Sequence, residues 1–99
     1  MARRGLGSSK AEHTAAASKA AAQIEYTAAT TVNKARNGQC TAALMGYAEM
    51  QRAIGEFEAH TRSGGKAWKP ATAIHEAAYE FSTRCVRESG LDGARKRRR

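Results

Sequence analysis

The chain has 99 residues, of which 41% are hydrophobic and only 6% aromatic, and it carries a formal net charge of +8. This length suits one small domain, and the absence of any run of about 18 or more apolar residues excludes a membrane span. Two cysteines are too few for a disulfide scaffold and lack the spacing of a metal site, which favours an intracellular protein or one packaged in a virus particle.

The first eight residues form a basic N-terminal arm that contains Arg3 and Arg4 and no acidic residue. Serine, lysine and glutamate follow it where a secretory signal would have an apolar segment, and early acidic residues argue against a mitochondrial presequence. We expect this arm to be disordered until it meets a partner.

The first predicted helix begins after Ser9, because Ser9-Lys10-Ala11-Glu12 has the pattern of a capping box. From there to Arg36 no proline or glycine interrupts the segment, and alanine, the best helix former, dominates it. Asn37-Gly38 supplies the left-handed stop expected just past a helix end. Residues at alternating spacings of four and three form one stripe along this helix: Ala17, Ala21, Ile24, Ala28, Thr31 and Ala35.

The second predicted helix runs from about Cys40 to His60 or Thr61 and carries a matching stripe. The members of this stripe are Ala43, Tyr47, Met50, Ile54 and Phe57, with Cys40 and Leu44 broadening the face. Two matching stripes joined by a short turn predict an antiparallel helical hairpin. Gly46 and Gly55 cost helix propensity, and we expect them to mark close contacts between the helices.

A flexible connector, residues 62–69, precedes the third predicted helix. Pro70 suits the first turn of a helix, where its missing N–H donor does no harm. This helix is predicted to run from about Pro70 to Ser89, and Gly90 followed by Leu91 has the pattern of a closing C-cap. Its apolar face is formed by Ala71, Ile74, Ala78, Phe81 and Cys85.

The predicted fold is therefore all-α. An antiparallel helical hairpin plus a third helix would form a three-helix bundle over residues 9–90, with disordered basic termini at residues 1–8 and 91–99. The alternative is a helical hairpin that buries its third helix in another copy of the chain.

The C-terminal tail is the most informative segment for function. Its last five residues are all basic: Arg95, Lys96, Arg97, Arg98 and Arg99. A dense cationic tail binds polyphosphate by releasing counterions and needs no particular base sequence, so nucleic acid is the predicted partner. Anionic lipid and an acidic protein surface are the weaker alternatives. Such a tail can also serve only solubility or act as an address signal.

An up-down-up bundle would collect the charges into two cationic poles. One pole would hold Arg3, Arg4, Lys10, Arg62, Lys66 and Lys69, and the other Lys34, Arg36, Arg84, Arg87 and the last five residues. Such a body can bridge two nucleic-acid segments or lie between a protein shell and its genome. For the helix-end residues of the second pole, the simpler interpretation is solvated cations favoured by the helix dipole.

Lys66, Trp68 and Lys69 place an indole between two lysines in the glycine-rich connector. An exposed indole flanked by ammonium groups can stack on an unpaired base. More often, a lone tryptophan beside a helix start covers the end of a bundle and donates a hydrogen bond from its ring nitrogen. Covering the bundle is the stronger expectation, and the three residues remain candidates for nucleic-acid binding.

Neither a metal site nor a disulfide is predicted. His13, His60 and His75 fall at one end of the predicted bundle, but no two of them have the local spacing of a recognisable metal site, which favours surface histidines. Counting about 1.5 Å per helical residue from the connector leaves Cys40 and Cys85 about 10 Å apart along the bundle axis. We therefore expect both cysteines to be buried free thiols.

An enzymatic function and a cofactor are not predicted either. The carboxylates are scattered along exposed faces, and no nucleophile can be paired with a base. Gly64-Gly65-Lys66 is superficially like a phosphate loop, but the upstream glycine spacing and the preceding strand are missing.

The stretch from Asn37 to Leu44, continuing to Gly55 and Glu58-Ala59-His60, resembles the turn and second helix of short alanine-rich, basic proteins encoded by bacteriophages. The start, Met1-Ala2-Arg3-Arg4, is similar as well. This resemblance implies a phage setting, in which a small basic helical protein is a virion component or is associated with the genome. It implies no functional residues.

The predicted function is sequence-independent contact with nucleic acid, DNA in preference to RNA, through residues 95–99, with Arg3 and Arg4 secondary. The chain is expected to be a homo-oligomer in a virion or the host cytoplasm, without a membrane partner. The competing hypothesis is a minor or accessory subunit of a virion shell, whose helices dock on a capsid or other virion protein while the tail faces the genome. A host-targeting adaptor with an import-like tail is a third possibility.

Overall fold

The computed structural model describes residues 9–86, which are helical apart from two short connections. The elements are α1 (Lys10–Arg36), α2 (Cys40–Arg62), α3 (Ala71–Phe81) and a π-helical turn (Ser82–Val86). No strand occurs within these residues, and the three helices pack together. The predicted all-α class is therefore confirmed. The N-terminal arm, the Gly90-Leu91 cap and the basic tail lie outside the described residues.

The ends of α1 follow from local chemistry. The Ser9 hydroxyl accepts a hydrogen bond from the Glu12 amide at 3.1 Å, and the Glu12 carboxylate accepts one from the Ser9 amide at 3.0 Å. This reciprocal capping box satisfies two amides that have no partner within the helix. At the other end, Gly38 adopts a positive φ of 77°, which glycine tolerates without a steric penalty. Both predicted ends of the first helix are confirmed.

The core lies mainly between α1 and α2 and combines small side chains on α1 with larger ones on α2. Ile24 and Met50 are fully buried, and Phe57 is nearly so. Two buried threonines of α1 donate hydroxyl hydrogen bonds to their own helix, Thr27 to Gln23 O and Thr31 to Thr27 O, each at 2.8 Å. These bonds allow polar residues to lie in an interface of closely packed helices without unsatisfied donors.

The two glycines of α2 differ. A Cβ atom at Gly46 would lie 2.9 Å from Thr31 Oγ1, so this glycine marks a close approach of α2 to α1, as predicted. A Cβ atom at Gly55 would meet nothing within 4 Å. The predicted close contact at Gly55 is therefore wrong, because this position faces open space.

α3 packs chiefly on α1 and begins well along the body of the protein rather than at its end. The chain leaves α2 beside the start of α1, where the Lys66 amide donates a hydrogen bond to the Thr14 hydroxyl. By Ala73 it has reached the groove that Ala28 and Val32 also line. The connector, in an irregular conformation from residue 65 to residue 70, therefore runs back along α1.

Because the connector runs back along α1, α3 starts nearer the α1–α2 turn and Cys85 reaches Cys40. The two cysteines form a disulfide with their Cα atoms 5.4 Å apart. The prediction of two free thiols is wrong. The predicted separation assumes that the connector reverses direction at the end of the bundle, whereas the connector in fact carries the start of α3 along α1 toward the α1–α2 turn. Cys85 is buried with Ala35 and Ala43 in a small second core cluster.

The inward face of α3 also differs from the predicted stripe. Ala77 and Cys85 are buried, Ile74, Ala78 and Phe81 are half-buried, and Ala71 is exposed. Glu80, at 8% exposure, lies on the buried side. The stripe shifts because α3 packs mainly on α1, and an arginine from α1 and another from the π-helical turn make a carboxylate tolerable there.

None of the helices in residues 9–86 combines the length and apolar character needed to cross a lipid bilayer.

Candidate nucleic-acid interface

The connector between α2 and α3 is held to the helices by backbone hydrogen bonds. The Gly65 amide donates to His60 O at 2.9 Å, and the next amide, that of Lys66, donates to Thr14 Oγ1 at 2.9 Å. Gly65 is buried, and a Cβ atom there would lie 2.5 Å from the carbonyl oxygen of His13. Only glycine therefore lets the connector approach α1 this closely. On the other side of Trp68, the Ala71 amide donates to Lys69 O at 2.8 Å.

Trp68 points away from the bundle. Its residue is 88% exposed, the largest value among the exposed large hydrophobic residues in the described part of the chain. Neither a hydrogen bond nor an aromatic contact to another residue of 9–86 involves the indole. The expectation that Trp68 covers the end of the bundle is wrong, because Ala67 and Pro70 occupy the inward positions of this segment instead.

The two lysines beside Trp68 differ in their surroundings. The Lys69 ammonium forms an ion pair with Glu58 at 3.1 Å, whereas the exposed Lys66 side chain has no acidic partner within residues 9–86. An ammonium group that is already paired with a carboxylate gains less interaction free energy from a phosphate than an unpaired ammonium group does. Of the two, Lys66 is thus the better placed to bind an anion.

A shallow groove of about 470 Å³ adjoins Trp68 and joins the start of α1 to the connector. Its lining residues are Lys10, Thr61, Gly64, Gly65, Lys66 and Ala67. The Lys10 stem lies against Gly64, with Cγ 3.6 Å from the position a Cβ atom would take there. No acidic residue lines the groove, so it presents two ammonium groups and accessible backbone to solvent. Such a surface favours an anion.

Two of the three histidines meet beneath the connector. His13 Nδ1 and His60 Nδ1 are 3.0 Å apart, and the ring centroids are 5.2 Å apart. This geometry joins the start of α1 to the end of α2 through a hydrogen bond between two imidazoles. His75 is exposed on α3. Within residues 9–86, no group of three or more histidine, cysteine, aspartate or glutamate side chains is arranged to hold a metal ion.

Two cations at the opposite end of the described body, Arg36 and Arg84, are engaged by carboxylates. Arg84 Nε lies 2.7 Å from Glu80 Oε1, and Arg36 Nη2 lies 3.2 Å from Glu80 Oε2 and 3.3 Å from Glu76 Oε2. The hydrogen bond from Arg84, followed by that from Arg36, holds the pKa of the Glu80 carboxyl below its usual range. The hydrogen bond and charge of Glu80 in turn raise the pKa of the Arg36 guanidinium. Arg36 and Arg84 thus lie near helix ends with about half of their side-chain surface exposed, as expected of solvated helix-end residues, and they also form an ion-pair cluster with Glu76 and Glu80.

Most of the predicted binding residues lie outside the described part of the chain: Arg3, Arg4, Arg95, Lys96, Arg97, Arg98 and Arg99. The remaining three, Lys66, Trp68 and Lys69, lie together on the connector. The sequence does not predict the role of Thr14, whose hydroxyl accepts a hydrogen bond from the Lys66 amide. The two residues are 52 positions apart in the chain, and no local sequence pattern indicates such a contact. The predicted cationic pole at this end includes Lys10, which lies beside Gly64 and lines the same groove as Lys66.

Comparisons with protein-family models, with curated proteins and with solved structures found no match for this chain. The resemblance to short basic bacteriophage proteins therefore stays a prediction.

Proposed function

We propose that this protein binds nucleic acid without sequence preference, through phosphate contacts made by its basic termini and by the connector. The groups assigned to phosphate contacts are Arg3, Arg4, Arg95, Lys96, Arg97, Arg98, Arg99 and Lys66. The two other candidates on the connector carry no such assignment, because Lys69 is paired with Glu58 and Trp68 is uncharged. Binding through phosphates is governed by charge neutralisation and counterion release, so it requires cations that are not already paired with carboxylates.

The observation that carries the proposal is how the basic residues divide between the described body and the termini. Within residues 9–86, Arg36, Arg84 and Lys69 are engaged by carboxylates, whereas Lys10 and Lys66 line a groove that contains no acid. Eight of the seventeen lysines and arginines lie outside residues 9–86, where only Glu88 and Asp92 oppose them. By formal charge the described body is thus close to neutral, and most of the net positive charge of the chain belongs to the terminal segments.

DNA is the preferred partner in this proposal, and a phage particle or the host cytoplasm is its setting. In this setting, the helical body sets the spacing between copies in a homo-oligomer, and the termini hold the packaged or host-cell nucleic acid. No membrane partner is part of the proposal.

A second candidate function is that of a minor or accessory subunit of a virion shell. It is favoured by Leu44 and Met45, adjacent apolar residues of α2 that are 53% and 63% exposed. Apolar side chains on the outer face of a helix can dock on another protein. In this alternative, the shell protein binds α2 and the basic tail only faces the enclosed genome.

The test is the binding of the purified full chain to two labelled duplexes of unrelated sequence, beside a variant truncated after Gly93. The proposal predicts similar affinity for both duplexes and a large loss on truncation. A shell subunit instead loses self-association or docking when Leu44 and Met45 are both changed to Gln, and it keeps assembling after truncation. Absence of duplex binding at low salt would overturn the proposal.

A further inference from the structure

An 88% exposed tryptophan in the described body is unusual because the indole is the largest side chain and gains from contact with another surface. Exposure alone assigns no role, since single apolar residues are common on protein surfaces. Two further features of this segment, its fixed backbone and its charge, indicate what the indole contacts.

The backbone on both sides of Trp68 is fixed before any ligand arrives. Hydrogen bonds hold Gly65 to His60 and Lys66 to Thr14, and Ala67 packs against the main core. Pro70 is buried at the start of α3. An aromatic side chain carried on such a segment loses little conformational freedom on binding, so contact with a flat partner is less costly than it would be on a mobile loop.

The charge beside the indole is positive. The groove that adjoins it is lined by Lys10 and Lys66 and by no acidic residue. Lys69, on the far side of Trp68, is paired with Glu58. The ligand that fits this combination has a flat aromatic part for the indole and an anionic part for the groove. A nucleotide within a polynucleotide strand has both.

We infer that Trp68 and the adjoining groove form a site for one unpaired nucleotide of single-stranded nucleic acid, with the base stacked on the indole and a neighbouring phosphate near Lys10 and Lys66. The strand is single because the faces of bases inside a duplex are already stacked on their neighbours. This inference rests on the proposed function and adds the class of strand that the connector recognises. A DNA base and an RNA base share the stacking chemistry.

The experiment uses the full chain and exploits the fact that Trp68 is its single tryptophan, so fluorescence excited at a wavelength that the three tyrosines do not absorb reports on this residue alone. The ligands are oligothymidylate and oligouridylate, each longer than the site sizes of about 4–16 nucleotides known for comparable stacking sites, and a blunt duplex. The variants are Trp68→Ala and Trp68→Phe, with Tyr26→Ala as the matched control because Tyr26 is an aromatic residue, 69% exposed, on the outer face of α1.

Single strands should quench the Trp68 fluorescence of the unaltered protein. Trp68→Ala should weaken single-strand binding about 5- to 150-fold, the range expected for losing one stacked base. Duplex binding should stay within about twofold of the unaltered value, since phosphate contacts carry it. Trp68→Phe should recover part of the loss, and Tyr26→Ala should change neither affinity. Comparison of the two oligonucleotides then distinguishes DNA from RNA.

Two results would overturn the inference, and they differ in what they say about the proposed function. One result is that Trp68→Ala binds single strands as tightly as the unaltered protein, and that single strands leave the Trp68 fluorescence of the unaltered protein constant. In that case the stacking site is wrong and phosphate binding stands. If the full chain binds neither the single strands nor the duplex at low salt, both the site and the proposed function fail.

Discussion

Cys40 at the start of α2 and Cys85 in the π-helical turn after α3 are joined by a disulfide. The bond links positions 45 residues apart and fixes the end of the described chain to the α1–α2 turn. It lies in a cluster with the buried alanines Ala35 and Ala43 and the half-buried Phe81. The end of the described chain is thus tied to the hairpin both covalently and by packing.

Reduction of this disulfide should lower the free energy of unfolding, because the cross-link restricts the unfolded chain. For a loop of this length the chain-entropy estimate is about 4 kcal/mol, and measured values are typically about 2–4 kcal/mol. Urea unfolding followed by circular dichroism, with and without a thiol reductant, measures the change. The Cys40→Ser/Cys85→Ser double variant is the control and should not respond to the reductant. An unfolding midpoint of the unaltered protein that is the same in both conditions would contradict the structure.

Substitution of the two α2 glycines by alanine should have opposite effects. Gly46→Ala would place a Cβ atom 2.9 Å from Thr31 Oγ1 and should destabilise the fold by about 1–3 kcal/mol, the usual cost of overpacking. Gly55→Ala meets nothing within 4 Å and should stabilise it by about 0.5–1 kcal/mol through helix propensity. Thermal unfolding of the two variants beside the unaltered protein tests this pair. Equal shifts of the same sign would show that the α1–α2 contact at Gly46 is misplaced.

The ion-pair cluster around Glu80 predicts a specific dependence of stability on pH. The folded-state pKa of Glu80 is lowered, chiefly by the Arg84 hydrogen bond and then by Arg36. The carboxylate therefore stabilises the fold above the unfolded-state pKa of about 4.3, and that contribution is lost as the pH falls through the lower folded-state value.

Glu80→Gln should accordingly be less stable than the unaltered protein at pH 7, and the two free energies of unfolding should converge as the pH falls through the lowered folded-state pKa of Glu80. Urea unfolding at a series of pH values measures the difference. Glu25→Gln is the matched control, since Glu25 is exposed on α1 and forms no ion pair within residues 9–86. A Glu80→Gln difference that is constant across the series would rule out the carboxylate as its source.

Local patterns predicted the helices well. The capping box at Ser9 and the left-handed glycine at position 38 are short-range features, determined by neighbouring residues, and both are present in the structure. The stripes on α1 and α2 likewise follow from the helical period, and their buried members include Ile24, Met50 and Phe57.

The position of α3 along the length of the α1–α2 hairpin could not be predicted from local sequence patterns. It depends on the path of residues 65–70, which is set by the contact of Gly65 with His13 and the bond from Lys66 to Thr14. Neither contact has a sequence signature. The disulfide, the buried Glu80 and the exposure of Trp68 all follow from this path, which is why the sequence led to wrong expectations for the cysteines, the inward face of α3 and the tryptophan.

The central claim is that the basic residues of the termini and the connector bind nucleic-acid phosphates. The most direct test is the affinity of the full chain for a duplex at several salt concentrations, with a variant truncated after Gly93 beside it. If the tail places about five charges on duplex phosphates, log affinity should fall with log salt at a slope near −4.5, and truncation should remove most of that slope. A full chain that does not bind at low salt, or a slope that truncation leaves unchanged, would contradict the account.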